Sequence, residues 1–200
     1  MQETILIKLG ELVLKGLNRK TFESTLLKNI RRRLSGLGDF EVKSAQSTIY
    51  VIPKTEESDL DAAEERIGKI FGIVSYSRAC VAEKDLAAIR EAAGEYLRDE
   101  LLDAATFKVE TKRSDKKFPY TSPEISEDVG AYLLEQYLHL SVNVHEPDLI
   151  VRVEVRDFGA YVHGNPRPGA GGIPVGTGGK AAILISGGID SPVAAWTMAK

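Results

Sequence analysis

Near its carboxyl end the chain carries Ser186-Gly187-Gly188-Ile189-Asp190-Ser191-Pro192, directly after the apolar run "AAILIS" at 181–186. The run reads as a short buried strand. Ser191 reads as a helix cap, with Pro192 at the first helical position, where its missing N–H costs nothing. Gly187 and Gly188 read as a tight turn, because glycine takes backbone angles that other residues resist. A strand, a glycine turn and a helix amino terminus present free N–H groups and an aligned dipole to an anion. The hydroxyls of Ser186 and Ser191 flank that position as further donors. The loop is not the G-x-x-x-x-G-K-[ST] type, whose spacing and lysine are missing. Asp190 is the informative residue: a carboxylate beside phosphates repels them unless a cation lies between, so it implies Mg²⁺. Such a loop suits a grip on a pyrophosphate that leaves the α-phosphate open to attack.

A second set of residues has a different chemistry. "FKVETKRSDKKF" (107–118) packs five bases and two acids into twelve residues, and Lys112, Arg113, Lys116 and Lys117 sit beside Phe118 and Tyr120. RNA is recognised by such a mixture of phosphate contacts and aromatic or guanidinium stacking. Lys15 and Arg19, with Arg31, Arg32 and Arg33, form a second basic candidate. The last three lie on different faces of a helix, so at most one or two of them reach a common partner. The net charge of −3 hides this unevenness. Residues 1–45 hold nine Lys/Arg against five acids, a balance of +4, while 46–107 hold seven against thirteen, or −6. Global charge therefore argues nothing for nucleic acid, and on charge alone both basic segments read as solvated helix faces.

Other reactive side chains carry no chemistry in this reading. The single cysteine, Cys80, stands in an alternating run and reads as a small core residue; alone it builds neither a disulfide nor a zinc site. His139, His145 and His163 lack metal-ligand spacing. Trp196, at helical spacing after the loop, reads as core of a further domain. The acidic run "EESDLDAAEE" (56–65) reads as a solvated helix face. A hydrophobic fraction of 43% with 28% charged residues is that of a globular chain rather than a disordered one. No apolar run reaches the ~20 residues of a membrane span, and the charged amino terminus does not suit a secretory signal, so a cytoplasmic protein without membrane contact is expected.

The elements that must position these residues follow from periodicity. "ETILIKLG" (3–10) alternates as a strand. Residues 18–36 repeat Phe22, Leu26, Leu27, Ile30 and Leu34 at helical spacing between an Asn18 cap and a Gly36 stop. Residues 40–53 read as two strands about a turn, 57–72 as a helix ended by Gly72, and 73–83 as a strand. That β-α-β-β-α-β order is ferredoxin-like. A second α/β unit follows: a helix over 85–103, a strand entering the basic segment, a helix capped by Ser122, and a hairpin of "DLIVRVEVRD" with "GAYVHG". Residues 164–180, rich in Gly and Pro, read as an aperiodic linker.

"SGGIDSPVA" resembles the PP-loop signature of ATP pyrophosphatases, which adenylate an oxygen and then displace AMP. "LGELVLKGLNRKTFESTLLKNI" resembles the opening of the tRNA 4-thiouridine sulfurtransferases, through Gly10, Glu11, Leu14, Lys15, Gly16, Asn18, Arg19, Phe22 and Glu23. "KVETKRSDKKFPYTSPEISEDVGAYL" and "VNVHEPDLIVRVEV" resemble a THUMP domain, an RNA-binding module. The likeness covers the whole chain and implies an α/β (α+β) protein. In it, a ferredoxin-like domain (1–80) is followed by a THUMP domain (81–165), a linker (166–180) and the first strand and helix of a doubly wound PP-loop domain (181–200).

The resemblance also implies an activity. ATP with Mg²⁺ adenylates uridine 8 of tRNA, and persulfide sulfur from a cysteine desulfurase then displaces AMP to give 4-thiouridine. Some members also supply sulfur for thiamine thiazole synthesis, and the tRNA is bridged across a homodimer. ATP or pyrophosphate binding falls on Leu184, Ile185, Ser186, Gly187, Gly188, Ile189, Asp190 and Ser191, with Asp190 towards the metal. tRNA binding falls on Lys112, Arg113, Lys116, Lys117 and Phe118, with Lys15 and Arg19. No catalytic residue falls within these 200 residues. The family's adenine pocket and sulfur-handling cysteine lie beyond the motif, so an amino-terminal piece that is inactive alone is expected. Two alternatives stand beside it: a non-catalytic tRNA-binding THUMP protein with a vestigial tail, and a PP-loop ligase such as an amidotransferase acting on a small molecule.

Overall fold

A computed structural model describes residues 1–10 and 19–200, with only the backbone of Arg19. The chain divides into two compact units. The first comprises Ile5–Tyr76 and Arg167–Lys200, and the second Met1–Thr4 and Ser77–Pro166.

In the first unit, strand β1 (Glu3–Leu9) pairs antiparallel with β3 (Thr48–Pro53), from Ile5 opposite Val51 to Lys8 opposite Thr48. β2 (Phe40–Ala45) completes a hairpin with β3. Its two-residue turn puts Gln46 and Ser47 at φ of 50° and 62°, the left-handed pair that matches the twist of the flanking strands. Helix α1 (Arg19–Leu34) buries Leu26, Ile30 and Leu34, and α2 (Leu60–Gly68) buries Ala63 and Ile67, against Ile5, Ile7, Ile49 and Val51. α2 is shorter than the helix expected over 57–72. Asp59 starts it by accepting the Ala62 amide at 2.9 Å, and the chain has left the helix before Gly72, at φ +98°. With β4 (Ile73–Ala82) the strand order is β2-β3-β1-β4, the ferredoxin-like arrangement.

The second unit orders its strands β4-β8-β7-β5-β6. β5 (Thr106–Arg113) and β7 (Leu149–Arg156) run parallel, and β7 turns antiparallel into β8 (Gly159–His163), the predicted hairpin. β6 (Ser141–Val142) borders β5. Helices α3 (Leu86–Tyr96), α4 (Arg98–Asp103) and α5 (Ser122–Gln136) cover this sheet with Ile89, Ala93, Leu101, Ile125, Val129 and Leu133. The single helix expected over 85–103 breaks at Leu97 (φ −97°, ψ 22°), whose side chain is buried. The cap of α5 is Thr121 rather than Ser122. Thr121 and Glu124 form a reciprocal capping box, in which the Thr121 amide donates to Glu124 Oε2 at 2.6 Å.

The linker is not aperiodic throughout. Arg167 and Pro168 (β9) pair with Tyr76 and Ser75, and the Gly169 and Gly171 amides donate to Val74 and Ile73 carbonyls, each at 2.8 Å. A β-carbon on Gly169 would lie 2.4 Å from the Ile73 carbonyl oxygen, so this close approach admits only glycine. Among the described residues no helix is long and apolar enough to cross a membrane.

Candidate phosphate loop and nucleic-acid interface

Helix α6 (Asp190–Ala199) begins two residues earlier than expected, and Ile189 precedes it without a side-chain cap. Ser191 therefore lies inside the first turn and reaches back across the loop. Its Oγ accepts the Ser186 amide at 2.9 Å and lies 3.2 Å from Ser186 Oγ, while the Gly188 amide donates to Ser186 Oγ at 3.4 Å. The two serines clamp the turn. The glycines are not there for their torsions: the left-handed ones are Gly36, Gly38, Gly72, Gly171, Gly172 and Gly176, not Gly187 or Gly188. What they supply is room. A β-carbon on Gly187 would meet nothing within 4 Å, so the space before the loop is open to a ligand approaching the backbone.

This arrangement fits a nucleotide pyrophosphate. First-turn amides lack acceptors within their helix, and two hydroxyls stand beside them. Asp190 is exposed and has no ion pair among the described residues. A single carboxylate next to phosphates is the protein share that Mg²⁺ takes, the rest of its shell being phosphate oxygen and water. Among the described residues no three His, Cys, Asp or Glu side chains cluster as a metal site.

The strand expected over 181–186 is not formed. No strand of the described residues pairs with it, and Leu184 and Ile185 are 95% and 70% exposed. A ladder needs a neighbour, and an apolar strand without one stays unpaired. These two residues lead into the loop. Trp196, expected in the core of a further domain, is 52% exposed in this chain and meets Phe71 edge-on, with ring centroids 4.6 Å apart.

The basic segment leaves β5 as a fastened loop. The Ser114 amide donates to the Val155 carbonyl at 2.8 Å, and the buried Arg156 guanidinium, itself paired with Glu154, donates to Ser114 Oγ at 2.9 Å. Asp115, an acid within the basic run, is buried. It pairs with Lys84 and accepts the Lys117 amide at 2.8 Å, and Lys84 also donates to the Asp157 carbonyl at 3.0 Å. Arg113 donates to the Phe118 carbonyl at 2.9 Å, closing the other end. Lys116 and Lys117 are thereby exposed on a loop whose backbone is already ordered. Lys117 and Phe118 border one open hollow, whereas Lys112 lines another with Thr111, Ser126 and Arg152.

Phe118 is a correction. It is 6% exposed, in the same core as Ile125 and Val151, and cannot stack on a base. Tyr120, 40% exposed and 5.8 Å from the Phe118 ring, is the exposed aromatic of this segment. Phe118→Leu is expected to cost about 1 kcal/mol of stability in thermal unfolding, since it nearly conserves volume, and to leave tRNA affinity unchanged in filter binding. Were the ring stacked on a base, its removal would instead weaken binding by ~1–3 kcal/mol.

Lys84, Asp115 and Asp157 were not legible as partners from the sequence, because they come from separate segments. The Lys84 pair, then the Lys117 amide, hold the Asp115 carboxyl below its usual 3.8. The native state thus binds fewer protons than the unfolded chain between the lowered value and 3.8. The contribution is complete above that window and is lost as pH falls through it. Hydrogen exchange at Ser114–Phe118 is expected to lose protection on acidification before the β7–β8 ladder does, and at neutral pH in Asp115→Asn.

Cys80 is 2% exposed, and burial pushes its thiol up, in keeping with a core role rather than sulfur transfer. Lys15 and the Arg19 side chain lie outside the described residues.

Three family descriptions match in order. Residues 4–77 match the ThiI ferredoxin-like domain, 83–163 the THUMP domain, and 176–200 the thiamine biosynthesis protein ThiI. The chain is 47% identical over 200 residues to a probable tRNA sulfurtransferase of Caldanaerobacter subterraneus, covering all of this chain and 51% of that protein. It is 44% identical over 202 residues to one of Acetivibrio thermocellus, again over all of this chain and 51% of that protein. The chain spans about half the length of the curated relatives it matches. Among solved structures, a 4-thiouridine synthetase–RNA complex with bound ATP superposes with a TM-score of 0.85 at 35% identity, over 100% of this chain and 50% of that one. PH1313 from Pyrococcus horikoshii superposes with a TM-score of 0.76 at 30% identity, over 88% of this chain and 58% of that one. The chain belongs to this tRNA sulfurtransferase (ThiI) family, of which it carries the ferredoxin-like domain, the THUMP domain and the opening of the PP-loop domain.

Proposed function

We propose that this chain is the tRNA-holding and pyrophosphate-gripping part of an ATP-dependent tRNA sulfurtransferase. The whole protein would convert uridine 8 of tRNA to 4-thiouridine, and its sulfur would also serve thiamine thiazole synthesis. The observation that carries the reading is the clamped, open-fronted loop at 186–191, in a chain whose second unit displays a fastened basic loop. ATP, when bound, supplies the adenylyl group that turns the uridine oxygen into a leaving group. The loop amides and the Ser186 and Ser191 hydroxyls would hold its β- and γ-phosphates, and Asp190 would orient Mg²⁺ there. Lys116 and Lys117, with Lys112, would neutralise tRNA phosphates, and Tyr120 would offer a ring to an unstacked base. Lys15 and Arg19 would add further phosphate contacts. Sulfur would arrive as persulfide from a cysteine desulfurase, in the cytoplasm, on a homodimer.

Two measurements test this. The full-length protein with ATP, Mg²⁺ and a persulfide donor is expected to give 4-thiouridine in tRNA and to release pyrophosphate in step. No pyrophosphate release with tRNA present would overturn the adenylation reading. This chain alone is expected to retain tRNA over poly-A in gel shifts. Its log affinity should fall with log salt at about −0.9 per phosphate contacted. Equal retention of poly-A would remove the tRNA assignment.

A further inference from the structure

The second unit carries a surface of opposite character, which the proposed reaction does not use. An open groove of about 790 Å³ runs between α3, α4 and the end of α5, lined by Glu91, Glu95, Arg98, Leu102, Tyr137 and Leu138. Leu138 is 89% exposed and Leu102 54%, and both line the groove, giving it an apolar floor. Leu138 is not a loose end. Tyr137 Oη donates to the Gly94 carbonyl at 2.8 Å, and His139 Nε2 lies 3.0 Å from the Leu101 carbonyl, so both its neighbours are fastened inward while it is held out. Gly94 belongs to this construction, since a β-carbon there would lie 3.1 Å from the Tyr132 ring. Two exposed carboxylates, Glu91 and Glu95, line the groove beside Arg98, and Asp99 and Asp103 are exposed on α4, the helix that carries Leu102; none of the four acids has an ion-pair partner among the described residues.

We infer that this groove docks a basic amphipathic segment of a protein partner, leucine-type side chains on the apolar floor and Lys or Arg beside the acids. Charge selects the occupant. RNA would bring phosphates against Glu91 and Glu95 with Asp99 and Asp103 close by in sequence, and a second copy in a two-fold contact would set the same acids against themselves. A helix with apolar residues at i, i+3, i+4 and i+7 and bases beside them meets both halves of the surface. The unit would then have two addresses, a basic loop for tRNA and an acidic groove for protein.

The test uses the full-length protein and a synthetic peptide of about 18 residues, or five helical turns, with Leu at those positions and Lys elsewhere. A scrambled peptide of equal composition and oligolysine serve as controls. Binding is read by fluorescence anisotropy and mapped by hydrogen exchange. Expected are slowed exchange at 91–102 and 134–139, and an affinity weaker by about tenfold in Leu102→Ser/Leu138→Ser and in Glu91→Lys/Glu95→Lys, with tRNA binding unchanged. Equal binding by the scrambled peptide or oligolysine, or unaltered affinity in both variants, would overturn the proposal. So would protection of these amides by tRNA, or a dimer in sedimentation that Leu138→Ser dissolves.

Discussion

In the full-length protein, Asp190→Ala is expected to abolish 4-thiouridine formation while tRNA affinity stays within about twofold. The two readouts separate because the residue stands in only one of the two machineries. Asp190 opens α6 in the first unit, exposed and without an ion-pair partner among the described residues, and the basic loop that would hold tRNA belongs to the second unit. Losing the carboxylate proposed to orient Mg²⁺ would leave the cation unfixed beside the developing negative charge of the transferring group. Single preorganised groups of this kind are worth about 10²–10³ in turnover. The electrostatics of ATP binding also become unfavourable without the cation, so pyrophosphate release should fall with thiolation. Thiolation retained at a tenth of the original rate or more would remove Asp190 from metal binding. Weakened tRNA binding would mean that the residue supports the fold instead.

Lys116→Glu with Lys117→Glu is expected to weaken tRNA binding on the order of 10–100-fold and to lower the salt slope by about 2, one for each phosphate no longer neutralised. Unfolding should be nearly unaffected, since both side chains are exposed and the loop is held by its neighbours. Asp115 on Lys84, Arg156 on Ser114 and Arg113 on the Phe118 carbonyl all remain. A loop already fixed loses little entropy on binding, so two lysines on it count for more than two on a free tail. Unchanged affinity with the same salt slope would take tRNA recognition away from this loop.

Much of this architecture was legible in the chain because short-range rules wrote it. Alternation in 3–10, the helical stripe from Phe22 to Leu34, and the hairpin of 149–163 each formed where periodicity placed them. The failures share a cause. Thr121 displaced Ser122 as the α5 cap because Glu124 could close a capping box with it, a choice made by side-chain geometry one residue away. The helix broke at Leu97 although its periodicity continued through that residue, because spacing of apolar residues does not report backbone torsions. Residues 167–171 read as loop because their ladder partners, Ile73 to Tyr76, lie about ninety residues earlier.

The candidate site followed the same division. The candidate phosphate loop is contiguous, so its residues could be named together, although Gly187 and Gly188 do not take the left-handed torsions expected of its turn. In the basic run, sequence ranked Phe118 by its chemistry, whereas the fold had committed the ring to the core. The acid Asp115 and the distant Lys84 fix the loop from which the lysines project.

The backbone bonds joining Gly169 and Gly171 to Val74 and Ile73 have a consequence for how the molecule is made. The first unit is discontinuous in sequence, with ninety residues of its neighbour translated in between. On the ribosome the rim of β4 at Ile73–Tyr76 therefore emerges long before the segment that seals it, and its amides and carbonyls wait in water or with a chaperone. The ferredoxin-like layer matures only after the THUMP layer has been synthesised, so a nascent chain halted near Pro166 would carry one finished unit and one still open along an edge.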